Sequence, residues 1–149
     1  NKNGLALAFS SNNQITSNTV SDNEYAGILL SHNSGNNVVS GNTTDGNDFG
    51  IRLLFNADQN DILNNTILNS RENGIYLDFD TNLNEILANT VCDNVVDIFQ
   101  DAVAGSNTGD NNWCSTARNW YDAGASGCTS VCRTGKTPIH PWLLLLLLN

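Results

Sequence analysis

The sequence has no methionine, even at position 1, only two prolines, and six lysines and arginines against 15 aspartates and glutamates. With so few cations inside a net charge of −9, nucleic acid is excluded as a partner, because neutralising a run of phosphates needs clustered Lys and Arg. An electrostatic grip on anionic lipid is excluded on the same ground. The missing initiator methionine reads as a segment that begins inside a longer protein. Long apolar runs are also lacking. The longest, Leu143 to Leu148, is six residues, far below the ~20 that span a bilayer, so a membrane link is expected only through an anchor beyond this segment. Amphipathic stretches of helical period are absent as well, which argues against a helical protein.

What is abundant is asparagine, with 26 residues. Asn is a poor helix former that favours turns and the left-handed backbone region. The 149 residues suffice for one compact domain, and a 40% apolar, 14% charged composition is not that of a disordered chain.

Self-similarity then fixes the fold class. Gly27-Ile28-Leu29-Leu30, Gly50-Ile51-Arg52-Leu53 and Gly74-Ile75-Tyr76-Leu77 are one phrase; Gly4-Leu5-Ala6-Leu7 is a fourth copy and Asp97-Ile98-Phe99-Gln100 a degraded fifth. Two further phrases keep step. Asn-x-Ile/Val recurs at Asn13, Asn37, Asn60 and Asn84, and Asn-Thr at Asn18, Asn42, Asn65 and Asn89. Three short apolar phrases with period-2 alternation, repeating about every 23 residues, predict three strands per coil of a right-handed parallel β-helix. About five coils over residues 1–112 are expected, then a Cys- and Trp-rich cap over 113–133, and a linker with the Leu-rich tail over 134–149.

Stacked coils bring equivalent positions into contact. The expected inward columns are Leu5, Ile28, Ile51, Ile75, Ile98; Leu7, Leu30, Leu53, Leu77; Ile15, Val39, Ile62, Ile86; and Val20, Thr44, Ile67, Val91. A further column, Phe9, His32, Phe55, Phe79, reads as an aromatic stack with His32 as a packed core or bend residue. The recurrent Asn residues belong at bends, bonding their counterparts in the next coil. Asn42 and Asn64 begin glycosylation sequons; Asn42 occupies a ladder position, which makes Asn64 the accessible one.

An open β-helix exposes a row of strand edges at its end, so a terminal cap is expected. Cys92, Cys114, Cys128 and Cys132 read as two disulfides in an oxidising compartment. No Cys-x-x-Cys and no paired His support a zinc site, and three cysteine pairings stay open. No metal or other cofactor is expected.

The Gly-Ile-x-Leu, Asn-x-Ile and Asn-Thr-Val/Ile phrases, in register over four coils, resemble the repeat of the pectate-lyase-like superfamily, in particular its NosD-type branch. Asn112-Trp113-Cys114, Trp120-Tyr121-Asp122, Gly127-Cys128 and Cys132 are similar to the Cys-rich closing segment of archaeal cell-surface proteins. The resemblance implies the fold, and a function among polysaccharide lyases, hydrolases, epimerases, adhesins and copper-maturation proteins.

The residues narrow that range. Copper wants His, Met or thiolate, and this chain has no Met and two distant histidines, His32 and His140. Sugar hydrolysis needs paired carboxylates. Asp78 and Asp80 share one local side, with Asp58 and Asp61 a coil away, but no Asp-Asp with Gly-His-Gly, no Arg-x-Lys and no Asp-Pro-His occurs. No catalytic residue is therefore assigned. The outward column of the first sheet offers Arg52, Tyr76 and Asp78 as a candidate ligand-binding group, Tyr76 to stack on a sugar and the other two to bond hydroxyls. The expectation is a non-catalytic structural or adhesive segment of a secreted or cell-surface protein, with a polysaccharide or another surface protein as partner. A polysaccharide-active enzyme is the first alternative and a copper-maturation role the second.

Overall fold

The structure is a computed structural model and describes residues 1–101 and 106–132. Every regular element among them is a β-strand. The first sheet contains β1 (Leu5–Ala8), β4 (Ala26–Ser31), β7 (Phe49–Leu53), β10 (Asn73–Leu77), β13 (Val96–Gln100) and β15 (Ala117–Arg118), in that spatial order. The second contains β2 (Gln14–Thr16), β5 (Val38–Ser40), β8 (Asp61–Leu63), β11 (Glu85–Leu87) and β14 (Thr108–Asp110). β3 (Thr19–Ser21), β6 (Thr43–Asp45), β9 (Thr66–Leu68) and β12 (Thr90–Cys92) make the third. Within each sheet a strand pairs, in parallel, with the strand three places on, until β12 ends the third sheet, β14 ends the second and β13 meets β15 in the first. The chain is thus a parallel β-helix with three strands per turn.

The register is the one the repeat predicts. Leu5, Ile28, Ile51, Ile75 and Ile98 stand opposite one another across successive strands, and Ala117 extends the column. The second-sheet column Ile15, Val39, Ile62, Ile86 ends at Gly109, and Val20, Thr44, Ile67, Val91 line the third sheet. From Ile28 onward these side chains are sealed from solvent, so burial of stacked aliphatics holds the coils together at roughly 1.5–3 kcal/mol per fully buried side chain. Gly50 begins its phrase because a Cβ there would overlap Ile67 and stand 2.6 Å from the Gly74 carbonyl oxygen. Position 50 faces the core, as does Ile51 after it. The strand therefore kinks at the glycine, and Phe49 is left outside with Arg52.

Asparagine does two different jobs at the corners. One set forms ladders. The backbone N–H and Nδ2 of Asn18 donate to Oδ1 of Asn42 (2.9 and 3.0 Å), Asn42 donates likewise to Asn65, Asn65 to Asn89 and Asn89 to Asn112. Asn13, Asn37, Asn60, Asn84 and Asn107 form a parallel ladder. The other set supplies left-handed backbone just before each ladder residue: Asn12 (φ 60°), Asn36 (56°), Asn64 (54°) and Asn111 (57°) immediately precede Asn13, Asn37, Asn65 and Asn112. Asn tolerates that region better than other side chains. Asn42 is buried with both its amide hydrogens engaged, whereas Asn64 is exposed.

Each ladder points its donors toward the next coil and so needs an acceptor at the end. The ladder that begins at Asn18 terminates on Asp122, whose carboxylate accepts from Asn112 N and Nδ2, Trp120 Nε1, and Thr129 N and Oγ1, at 2.7–3.0 Å. At the third corner Asp97 ends a shorter series, accepting from Asn94 N and Nδ2 and from the N–H groups of Ser115 and Thr116. Trp120 covers the last turn and is buried; it lies where a side chain at Gly109 would go.

The cysteines form two disulfides, Cys92–Cys132 and Cys114–Cys128, with Cα atoms 5.8 and 5.6 Å apart. The first ties the closing segment to β12, and the second lies within residues 113–133. Pairing on this scale belongs to an oxidising, extracytosolic compartment. No helix among the described residues is long and apolar enough to cross a membrane. The Leu143–Leu148 run, the linker from 134 and His140 lie outside the described residues.

Two expectations need correction. The aromatic column is outside the barrel, not in it: Phe9, Phe55 and Phe79 are 74%, 46% and 55% exposed and His32 is exposed at a bend. Phe9 contacts His32 and His32 contacts Phe55, with ring centroids 5.1 and 4.8 Å apart. They stand two residues beyond the core leucines, so alternation alone would carry them inward, but the left-handed backbone at Phe9, His32 and Phe55 ends the strand and turns them out. Ser31 and Leu54, which follow the outward Leu29 and Arg52 by two residues and which alternation therefore also places outward, are buried.

Candidate functional site

The outward face of the first sheet gathers most of the chain's unusual chemistry. Strand register sets Ala6, Leu29, Arg52, Tyr76, Phe99 and Arg118 in one column. The kinks before Ile28 and Ile51 add Tyr25 and Phe49 beside it.

Arg52 lies among aromatic rings. Its guanidinium carbon is 4.1 Å from the Phe49 ring centroid, 4.7 Å from that of Tyr76 and 4.8 Å from that of Tyr25, and Nη1 donates to the Tyr25 hydroxyl. Nε is buried with no partner. A weakly hydrated, planar cation is suited to such a cage, each desolvated ring contact contributing on the order of 0.5–2 kcal/mol. Tyr76 makes an edge contact with Phe49 and stacks flat on Phe99, the centroids 5.3 Å apart and the planes 3° from parallel. Burial pushes the Tyr76 phenol above its ordinary pKa; the carboxylate of Asp78 adds to the shift, and the Arg52 charge works against it. Asp78 is half-buried and accepts from the Phe79 N–H at 2.9 Å.

Arg52, Tyr76 and Asp78, singled out from alternation, are therefore neighbours on one face. Arg52 is largely occupied by its cage. Residues the sequence reading did not find complete the group. A cavity of about 260 Å³ beside the Tyr76–Phe99 stack is lined by Arg71, Glu72, Val95 and Arg118, among others. Arg71 is held by Asp48 (2.6 Å) and by the carbonyls of Gly46 and Asn23. Among the described residues Arg118 has no ion-pair partner and is exposed. Nothing in the repeat marks Ala117-Arg118 as a strand of the first sheet. Phe49 carried a signal, an aromatic just before the phrase glycine, whose meaning depends on the kink; Tyr25 stands one residue further back, before Ala26.

Chemically, the face offers a flat aromatic platform, a free guanidinium and carboxylates within one strand length. Chemistry of this kind can hold a sugar: rings can stack on pyranose faces, and charged or amide groups can bond hydroxyls and carboxylates.

The crystal structure of the periplasmic alginate epimerase AlgG is similar to this chain, with a TM-score of 0.69 and 18% identity over 87% of this chain and 34% of that one. At that identity the likeness shows the fold, and the chain spans about a third of that protein's length. No curated protein matches the sequence. Residues 1–127 match the family model described as periplasmic copper-binding protein (NosD). The side chains do not fit copper. All four cysteines are in disulfides, the sequence has no Met, and His32 directs Nδ1 to Ser31 Oγ at 3.0 Å between two phenyl rings. Among the described residues no three His, Cys, Asp or Glu converge on a possible metal position. The match covers most of the chain, and the protein belongs to the NosD family.

Proposed function

We propose that this chain is a non-catalytic, adhesive β-helix segment of the periplasm or cell surface that binds a polysaccharide on the outward face of its first sheet. The observation that carries the reading is the stacked Tyr76–Phe99 pair beside a cavity into which the free Arg118 reaches. Arg118 favours a sugar bearing a carboxylate or sulfate, held by charge-assisted hydrogen bonds while a neighbouring pyranose ring lies on the platform. Arg52 acts indirectly, by fixing the Tyr76 ring through its cage.

The alternative is a polysaccharide-active enzyme on the same face. It draws on the AlgG-like fold and on Asp78, whose charge already acts on the Tyr76 phenol. Titration with acidic and neutral oligosaccharides, followed by calorimetry and product analysis, separates the two. Binding of acidic oligomers without turnover, weakened at least tenfold in Tyr76→Ala and in Arg118→Ala, is the expected result. Product formation abolished by Asp78→Asn would establish the enzyme instead.

A further inference from the structure

The corner that follows the first sheet carries a second feature that the face does not explain. Two residues beyond each of the core leucines Leu7, Leu30, Leu53 and Leu77 stands an exposed ring: Phe9, His32, Phe55 and Phe79. The first three touch in sequence, forming a continuous ridge parallel to the helix axis. They are also in the left-handed region, at φ 52°, 53° and 51°. Bulky side chains are rare there because the Cβ crowds the backbone. Other corners meet the same demand with Asn12, Ser17, Gly41, Gly46 and Asn64, and with Gln59, Leu83 and Ala88, but among the described residues no other corner sets a row of rings there. An exposed ring in a strained conformation serves neither core burial nor backbone comfort, and strain retained at the surface points to a function.

The ridge is one ring wide. Its flanks are polar: Asn33 and Asn56 are exposed immediately after His32 and Phe55, and Asp78 bonds the Phe79 N–H. A protein partner would want a broader apolar centre. A single row of rings edged by amides fits a sugar chain, whose C–H faces lie on rings while its hydroxyls reach the amides. The vertical spacing agrees, because an extended, equatorially linked pyranose chain advances by close to one coil height per sugar. Charge sets the class. The acidic side chains Asp58, Asp78 and Asp80 share these turns, and no Lys or Arg lies between Phe9 and Leu30, between His32 and Gly50, or between Phe55 and Ser70. A polyanion would be repelled.

We infer that the Phe9–His32–Phe55–Phe79 ridge is a second carbohydrate site, taking a neutral, equatorially linked polysaccharide laid along the helix axis with one sugar per coil. The site is independent of the Tyr76–Phe99 face, so either can exist without the other.

The test uses neutral β-1,4-linked glucose and N-acetylglucosamine oligomers of two to six units, titrated against the full chain by NMR and calorimetry. Affinity is expected to rise with each unit up to four and then level off. Phe55→Asn should weaken binding at least tenfold while leaving the thermal midpoint unchanged or higher, because Asn suits the left-handed backbone. Tyr76→Ala should leave this binding intact and affect only acidic oligomers, which keeps the two sites distinguishable. The inference is overturned if no neutral oligomer binds, if binding survives both Phe9→Asn and Phe55→Asn, or if Phe55→Asn markedly lowers the thermal midpoint, as a merely structural ridge would require. Sedimentation without sugar that shows a dimer lost in Phe55→Asn would assign the ridge to a second copy of the chain instead.

Discussion

At the scale of single residues, adjacent asparagines have opposite fates. Asn65 is buried; its Oδ1 accepts from Asn42 N and Nδ2, and its Nδ2 donates to Val39 O and Asn89 Oδ1. Truncating it removes four hydrogen bonds and leaves the buried Asn42 N–H without its acceptor. Each such loss costs on the order of 1–3 kcal/mol, so Asn65→Ala should lower stability by at least ~2 kcal/mol in urea denaturation. Asn64 beside it is exposed and contributes its left-handed backbone, so Asn64→Gly should change stability by only a few tenths of a kcal/mol. A comparable loss at both positions would dissolve the distinction between ladder and corner. The sequence made the ladder legible, because Asn18, Asn42, Asn65 and Asn89 recur in register. The second role was hidden: one corner is held by Asn12, Asn36, Gln59 and Leu83 (φ 58° and 57° for the last two), the other by Ser17, Gly41, Asn64, Ala88 and Asn111. Backbone conformation, not side-chain chemistry, is conserved along each column, and no letter encodes it.

Among the elements, the strands of the coils were readable because one rule, burial of every second residue, repeats against itself. The closing segment obeys no repeat. β15 enters the first sheet with two residues, and its place is set by Trp120 over the last turn, by the Asp122 terminus of the ladder and by the disulfides. Arg118 was therefore invisible as a member of the candidate face, while Arg52, Tyr76 and Asp78 were not. The two disulfides should contribute unequally. Cys92–Cys132 closes a loop with a separation of 40 residues, against 14 for Cys114–Cys128. Loop-closure entropy assigns about 4 kcal/mol to the first and about 3 to the second. Denaturation of the Cys92→Ala/Cys132→Ala and Cys114→Ala/Cys128→Ala double variants should show the larger loss in the former. The reverse order would mean that packing around buried Cys114, rather than chain entropy, governs the cap.

For the whole molecule, the two ends are unequal. One is closed by Trp120, two carboxylate ladder stops and two disulfides. At the other, Leu5 and Leu7 are half-buried and Ile15 and Val20 retain 9% and 8% exposure, where Ile28, Leu30, Val39 and Ile62 have none. In a stack where each coil leans mainly on its neighbours, stability is a local quantity that grows with the number of covered faces. In the isolated 149-residue segment, opening should therefore begin at β1–β3 and travel toward the cap. Native-state hydrogen exchange is expected to show the least protected amides in β1–β3, intermediate protection in β4–β6 and the slowest exchange in β7–β12. Breaking the Cys92–Cys132 bond should flatten that gradient by letting the far end open as well. Equal protection in every coil, unchanged by reduction, would show instead that the stack unfolds as one cooperative unit, with ladder and core coupling the coils more tightly than nearest-neighbour contacts allow.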